Sequence, residues 1–232
     1  MQSAEQASWD AWIKLYRPDE NSVNTTISYY TKGAVVGWLL DARILHQTGG
    51  AKSLDDLMRL ALERFSGERG FITEQFKTLA AEVAGAPLDD FFRHTVESTE
   101  ELAYAPALDW FGLRFKEPEA PKNGGSIGCV TRDDKGRLIV LRVPRETPAW
   151  ESGLNVDDEI IAIGDVRVRP DQISQRLENY RPGDKVSILI ARREVLMRLD
   201  LTLGNEPKRW QLEVRPDATD AQKRNLANWL GL

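Results

Sequence analysis

The chain has 232 residues, and at roughly 150 residues per domain this length predicts two unequal domains. Hydrophobic residues make up 41 % and charged residues 29 %, a balance that excludes both intrinsic disorder and a fibrous repeat. Thirty-one basic side chains against 36 acidic ones leave a net charge of −5, which argues against a general nucleic-acid binder.

The charge is unevenly spread. Residues 1–105 hold 10 basic and 16 acidic side chains, whereas residues 106–205 hold 16 of each, so the acidic excess belongs to the first part. One cysteine, Cys129, excludes an intramolecular disulfide and is compatible with either cytoplasm or periplasm. No run of 18 apolar residues occurs, and Met1–Glu5 lacks the basic and apolar regions of a signal peptide. The expectation is a soluble chain with no membrane partner.

In the first hundred residues apolar positions recur at helical spacing between stop and start signals, which predicts five helices. The first spans Ala4 to Tyr16 and stops before Pro18; the second runs from Tyr30 to Gln47 and ends at Gly49-Gly50. Val35, Val36, Trp38, Leu39, Leu40, Ile44 and Leu45 leave little of the second helix polar, as expected of a helix enclosed by others. Ser53 and Asp56 form a capping-box pattern ahead of Leu54, Leu57, Met58, Ala61 and Phe65. A fourth stripe is Phe76, Leu79, Ala80 and Val83, stopped by Gly85, and a fifth is Leu88, Phe91, Phe92 and Val96.

After Tyr104-Ala105-Pro106 the rhythm changes to short Val, Ile and Leu runs between Gly, Asp and Pro turns, which predicts strands. The nearly apolar-free stretch between Phe115 and Ser126 predicts an exposed loop. One helix interrupts the strands, with Pro170 near its start, Ile173 and Leu177 four apart, and Pro182-Gly183 as its stop. A strand at Trp210 to Val214 then precedes a last helix from Asp217 to Leu230.

Several familiar chemistries find no support. His46 and His94 are the only histidines and lack the i, i+4 spacing that sets two imidazoles on one metal ion. They read as a cation near a helix C-terminus and a half-buried helix residue, and no position is assigned as a metal ligand. Cys129 reads as a buried structural thiol. Gly124-Gly125-Ser126-Ile127-Gly128 matches the G-x-S-x-G pattern literally, but that elbow needs a strand before it and a helix after it, and here a polar loop precedes a strand.

The run from Thr147-Pro148-Ala149 through Ser152-Gly153-Leu154 and Asp157-Asp158-Glu159-Ile160-Ile161 to Ile163-Gly164-Asp165 resembles PDZ domains. It departs where Asp157 replaces the usual Gly, and where Gly164-Asp165 replaces the Asn-Gly order. Ile161 and Ile163 are expected to enter a barrel-like core. The resemblance implies binding of an extended peptide or protein C-terminus by strand addition beside a helix, its carboxylate held in a loop of backbone N–H groups. Trp110-Phe111-Gly112-Leu113 resembles that loop. On this reading Phe111, Gly112, Leu113 and Phe115 supply the loop and groove strand, and Ile173 and Leu177 line the facing helix.

The helical part adds Asp10-Ala11-Trp12-Ile13, Tyr16-Arg17-Pro18-Asp19-Glu20-Asn21 and Ser28-Tyr29-Tyr30-Thr31-Lys32-Gly33 ahead of the enclosed helix, and the chain ends near Trp229-Leu230-Gly231. With the PDZ-like segment, these resemble the C-terminal portion of the glycyl aminopeptidase family of zinc metallopeptidases. The resemblance implies a thermolysin-like catalytic domain followed by a PDZ domain, and removal of N-terminal residues, Gly among them. Tyr30 matches the family tyrosine whose hydroxyl stabilises the oxyanion. By periodicity alone Tyr30 is a packing residue at a helix start. The His-Glu-x-x-His zinc motif occurs nowhere in the 232 residues, so the metal ligands map onto no position and zinc is a cofactor of the parent enzyme only.

The expected architecture is α+β: a helical subdomain over 1–105, a PDZ β-barrel-like domain over 106–205, and a strand and helix over 206–232. The functional expectation is a fragment, inactive alone, whose partners are a peptide C-terminus or the missing catalytic domain. The alternative is a non-enzymatic adaptor in which a helical bundle presents a PDZ module.

Overall fold

A computed structural model of the chain describes residues 2–116, 124–208 and 210–232. In chain order the elements are α1 (Ala4–Trp9), α2 (Ser22–Thr25), α3 (Tyr29–Gln47), α4 (Leu54–Phe65), α5 (Thr73–Ala84), α6 (Asp89–Phe92) with a π-helical turn Arg93–Glu97, and α7 (Ala105–Trp110). There follow β1 (Leu113–Lys116), β2 (Val130–Asp134), β3 (Arg137–Arg142), α8 (Pro148–Glu151), β4 (Glu159–Ile163) and β5 (Val166–Arg167). The chain closes with α9 (Ile173–Leu177), β6 (Lys185–Arg192), β7 (Val195–Thr202), β8 (Gln211–Val214) and α10 (Asp220–Leu230). The fold is α+β, as the sequence predicts. The exposed loop expected between Phe115 and Ser126 falls mostly on residues 117–123, outside the described residues.

Two compact units form. The first comprises Met1–Leu15, Ile27–Lys116 and Gln211–Leu232; the second comprises Tyr16–Thr26 and Glu117–Trp210. The domain boundary expected at 106 is therefore corrected: α7 and β1 pack with the helices, and residues 16–26 join the strands. The reason for the first shift is covalent order and burial together, since Ala107 and Phe111 share an apolar cluster with Leu39 and Ala42 of α3.

In the helical unit α3 is buried on two sides. Leu40 and Ile44 pack with Leu57 and Ala61 of α4 and with Leu79, Ala80 and Ala84 of α5, while Leu39 and Ala42 face Ala107 and Phe111. Burying such side chains contributes about 1.5–3 kcal/mol each. Asp41, itself buried, accepts from the Leu54 N–H at 2.8 Å and from Trp229 Nε1 at 2.8 Å, so one carboxylate satisfies the start of α4 and anchors α10. The Asp56 carboxylate accepts from the Ser53 N–H at 2.9 Å, which realises the predicted cap.

The first helix is shorter than expected. It ends at Trp9 instead of Tyr16, because the helical ladder gives way to a turn in which Ala11 N–H reaches only Ser8 C=O, at 3.4 Å. Ala4, Ala7 and Ala11 are buried, which leaves Trp9, Trp12 and Ile13 at 88 %, 77 % and 70 % exposure. The fifth helix is a short α-turn run into the π-helical turn that carries His94.

The second unit holds a sheet in the order β2-β3-β4-β6-β7, with β5 beside β4, and its pairings among the described residues are antiparallel. Ile127, Val140, Ala149, Ile160, Ile163, Ile188 and Ile190 are among the side chains of its single core. The expectation for Ile161 is corrected: Ile160 and Ile163 are buried and Ile161 is not in the core, because a register shift between Ile160 and Ala162 changes the alternation. The two departures from the PDZ pattern are absorbed locally. Asp157 adopts φ +67°, the left-handed conformation a Gly usually supplies there, and Gly164 carries the positive φ (+62°) of the β4–β5 turn one residue earlier than an Asn-Gly order would.

Candidate peptide groove and the Tyr30 helix

The residues expected to form the peptide groove fall in different units. Phe111 is fully buried, its ring 6.2 Å from Trp38 and 5.3 Å from Trp229, so it lines a core and not a groove. Gly112 closes α7: its N–H donates to Asp109 C=O at 3.1 Å, and its φ of +62° brings it so close to α10 that a Cβ would sit 2.9 Å from those of Ala218 and Gln222. Leu113 and Phe115 lie on β1, which pairs with β8 in the register Leu113↔Val214 and Phe115↔Leu212. The loop-and-strand role expected of Phe111, Gly112, Leu113 and Phe115 is thus replaced by a helix cap and a two-stranded sheet inside the helical unit.

Ile173 and Leu177 of α9 do flank an edge of the PDZ barrel. Both pack half-buried on its core, as does Cys129. Gly125 N–H donates to Leu177 C=O at 3.2 Å, which ties the entrance of β2 to the end of α9. Among the described residues β2 pairs only with β3, so it is an edge strand. The segment leading into it, Ser126-Ile127-Gly128-Cys129, has the apolar–Gly–apolar order that Phe111-Gly112-Leu113 also shows. Ile127 is buried and fixed by Ala149 N–H donating to its carbonyl at 2.8 Å. Gly128 has φ +76°, and a Cβ there would meet Thr147 Cβ at 2.6 Å, so only Gly fits this turn. The overlapping run Gly124–Gly128 also mimics a G-x-S-x-G elbow; here it precedes a strand, and Ser126 forms an isolated antiparallel bridge with Gly204.

Burial pushes the Cys129 thiol up to about 11. Since the thiolate is the nucleophile, Cys129 should react with a disulfide reagent at pH 8 at least about tenfold more slowly than the unfolded chain in guanidinium. Equal rates in the two states would contradict its placement.

At the other candidate site Ser28 caps α3, its Oγ accepting from Thr31 N–H at 3.2 Å, and thereby sets Tyr30 in the first turn. Tyr30 is 60 % exposed and stacks on Tyr29 with ring centroids 4.2 Å apart. Lys32 Nζ reaches Ser98 C=O at 3.4 Å. A phenol placed this way can donate a hydrogen bond. Among the described residues no three His, Cys, Asp or Glu side chains converge. Among the described residues no helix is long and apolar enough to cross a membrane.

The fold and the sequence together define a chain with a helical unit and a PDZ domain. Residues 125–203 match the PDZ domain profile, which begins after Phe111–Phe115 and includes Ser126–Cys129, Ile173 and Leu177. Residues 1–36, which include Tyr30, match the M61 glycyl aminopeptidase profile, and the resemblance to the C-terminal portion of that family stands on these two matches. Among solved structures an aminopeptidase N family protein from Idiomarina loihiensis is similar at 28 % identity and a TM-score of 0.86, over 99 % of this chain. The chain spans 40 % of that protein's length. The HtrA-type protease AlgW with decapeptide (22 % identity, TM-score 0.35) and a serine endoprotease from Yersinia pestis (20 %, 0.33) match over 37 % and 36 % of the chain, and over 30 % of each of theirs. Among curated proteins none matches.

Proposed function

We propose that this chain is the C-terminal portion of a zinc-dependent aminopeptidase that removes N-terminal residues, Gly among the candidates. The helical unit completes the active site of the whole enzyme, and the PDZ domain takes up a peptide. The observation that carries the reading is Tyr30: an exposed phenol in Tyr30-Thr31-Lys32-Gly33, held by a capped helix start, inside the segment that matches the peptidase profile. Its hydroxyl donates to the oxyanion that develops on the scissile carbonyl, while the metal chemistry comes from residues outside this chain. The outward Trp9, Trp12 and Ile13 support the same reading, because a face this apolar is ordinarily covered by another protein surface. The catalytic part of the parent is the cover we assign to it.

In the PDZ domain an extended peptide adds to the free edge of β2 beside α9. Its carboxylate meets the turn at Ser126–Cys129, and its last side chain enters between Cys129, Ile173 and Leu177. Titration of the labelled chain with a peptide ending in an apolar residue should therefore shift the amides of Ser126–Val130 and Ile173–Leu177 first. The amidated peptide should bind at least about tenfold more weakly, the value of one charge-assisted contact. First shifts at Phe111–Phe115, or equal binding of the amidated peptide, would overturn this groove.

A further inference from the structure

The two histidines of the chain line one cavity in the helical unit. It measures about 260 Å³ and lies between one face of α3 (Leu39, Arg43, His46), the turn carrying His94, and the start of α7. Leu39, Phe91 and Ala107 give it an apolar floor, with Ala103 at the side. The polar groups stand at the rim. Asp90 is paired with Arg93, and His94 Nδ1 lies 2.7 Å from Glu100 Oε2. His46 packs edge-on against Trp110, with centroids 5.4 Å apart. Arg43, which is exposed, has no ion-pair partner among the described residues, so its guanidinium stands at the rim beside an apolar floor. The π-helical turn carries His94 to the rim of this cavity, and such turns occur frequently at functional sites.

We propose that this cavity binds a small apolar monocarboxylate. The carboxylate pairs with the Arg43 guanidinium and is flanked by His46, and the hydrocarbon body lies on Leu39, Phe91 and Ala107. A planar guanidinium suits a carboxylate because it can donate two parallel hydrogen bonds. The volume is below that of pockets for drug-sized molecules, which fits a ligand of branched short-chain acid size. This site is independent of both Tyr30 and the β2–α9 groove.

The probe is 4-methylpentanoate, read by NMR at the ring Cε1–H signals of the two histidines, which are the only such signals in the protein. Saturable shifts of both rings are expected, with a Kd of about 1–5 mM, as befits a ligand of few atoms. Acetate lacks the apolar body and 4-methylpentanamide lacks the charge; each should bind at least about tenfold more weakly. Arg43→Gln should reduce the acid to the affinity of the amide, and Ala103→Phe should abolish binding by filling the cavity, with both variants keeping the wild-type melting temperature. The proposal is overturned if neither ring titrates, if acid and amide bind alike, or if Arg43→Gln leaves the affinity unchanged.

Discussion

In the zinc aminopeptidase proposed to contain this chain, Tyr30→Phe is expected to lower kcat by about 10²- to 10³-fold, the usual cost of one oxyanion donor. The substitution keeps the ring, and with it the stacking on Tyr29. A donor to the developing oxyanion acts mainly in the transition state, so kcat should fall much more than KM rises. In the present chain Tyr30 is 60 % exposed, and the same change should leave stability within about 0.5 kcal/mol. Steady-state kinetics of the parent and thermal unfolding of this chain measure the two effects separately. An unchanged kcat, or a loss of more than about 2 kcal/mol here, would make Tyr30 a structural residue.

The largest expected loss of stability lies in the PDZ domain, at Asp158. This carboxylate is 1 % exposed and is held by a fork from Arg192, with Nε to Oδ1 at 2.8 Å and Nη2 to Oδ2 at 2.7 Å. Asn155 N–H adds a third bond at 2.7 Å, and Arg192 Nη2 also donates to Gly153 C=O at 2.6 Å. The pair therefore joins the turn after α8, the start of β4 and the end of β6. The hydrogen bond to Asp158, more than any other influence, raises the Arg192 guanidinium above its ordinary value. Arg192→Leu strands the buried carboxylate and should cost about 3–5 kcal/mol in urea unfolding, read by amide exchange at Ile160–Ile163. Adding Asp158→Asn to Arg192→Leu should recover part of that loss, because an amide is far cheaper to bury than an unpaired charge. A loss below about 1 kcal/mol for Arg192→Leu would mean that solvent reaches the carboxylate.

Much of this was legible in the sequence where local chemistry and burial agree. The extent of α3, the Ser53 cap and the Gly85 stop are all local signals, and the structure follows them. The errors arose where long-range packing decides. Trp110-Phe111-Gly112-Leu113 has the residue types of a carboxylate loop, but Phe111 finds Trp38 and Trp229, far away in sequence, and the segment becomes a helix cap. Ile127-Gly128-Cys129 repeats the apolar–Gly–apolar order, and its role depends on Ala149, Thr147 and Leu177 closing around it. Asp158 was legible as part of the PDZ pattern, yet its partner 34 residues on was not. The shared cavity of His46 and His94 was hidden because no periodic spacing relates the two residues; the turn of α6 and the packing of α7 bring them together.

The central claim, that this chain is part of a zinc aminopeptidase, is tested most directly by isolating the native polypeptide that carries it. An antibody raised against the chain should detect, in extracts of the source cells, a band well above 26.2 kDa. Captured on that antibody, the same polypeptide should contain about one zinc per molecule, the content of a mononuclear catalytic site, and should release N-terminal Gly from a chromogenic substrate. A single band at 26.2 kDa that binds peptides and hydrolyses nothing would contradict the account and leave the adaptor reading in its place.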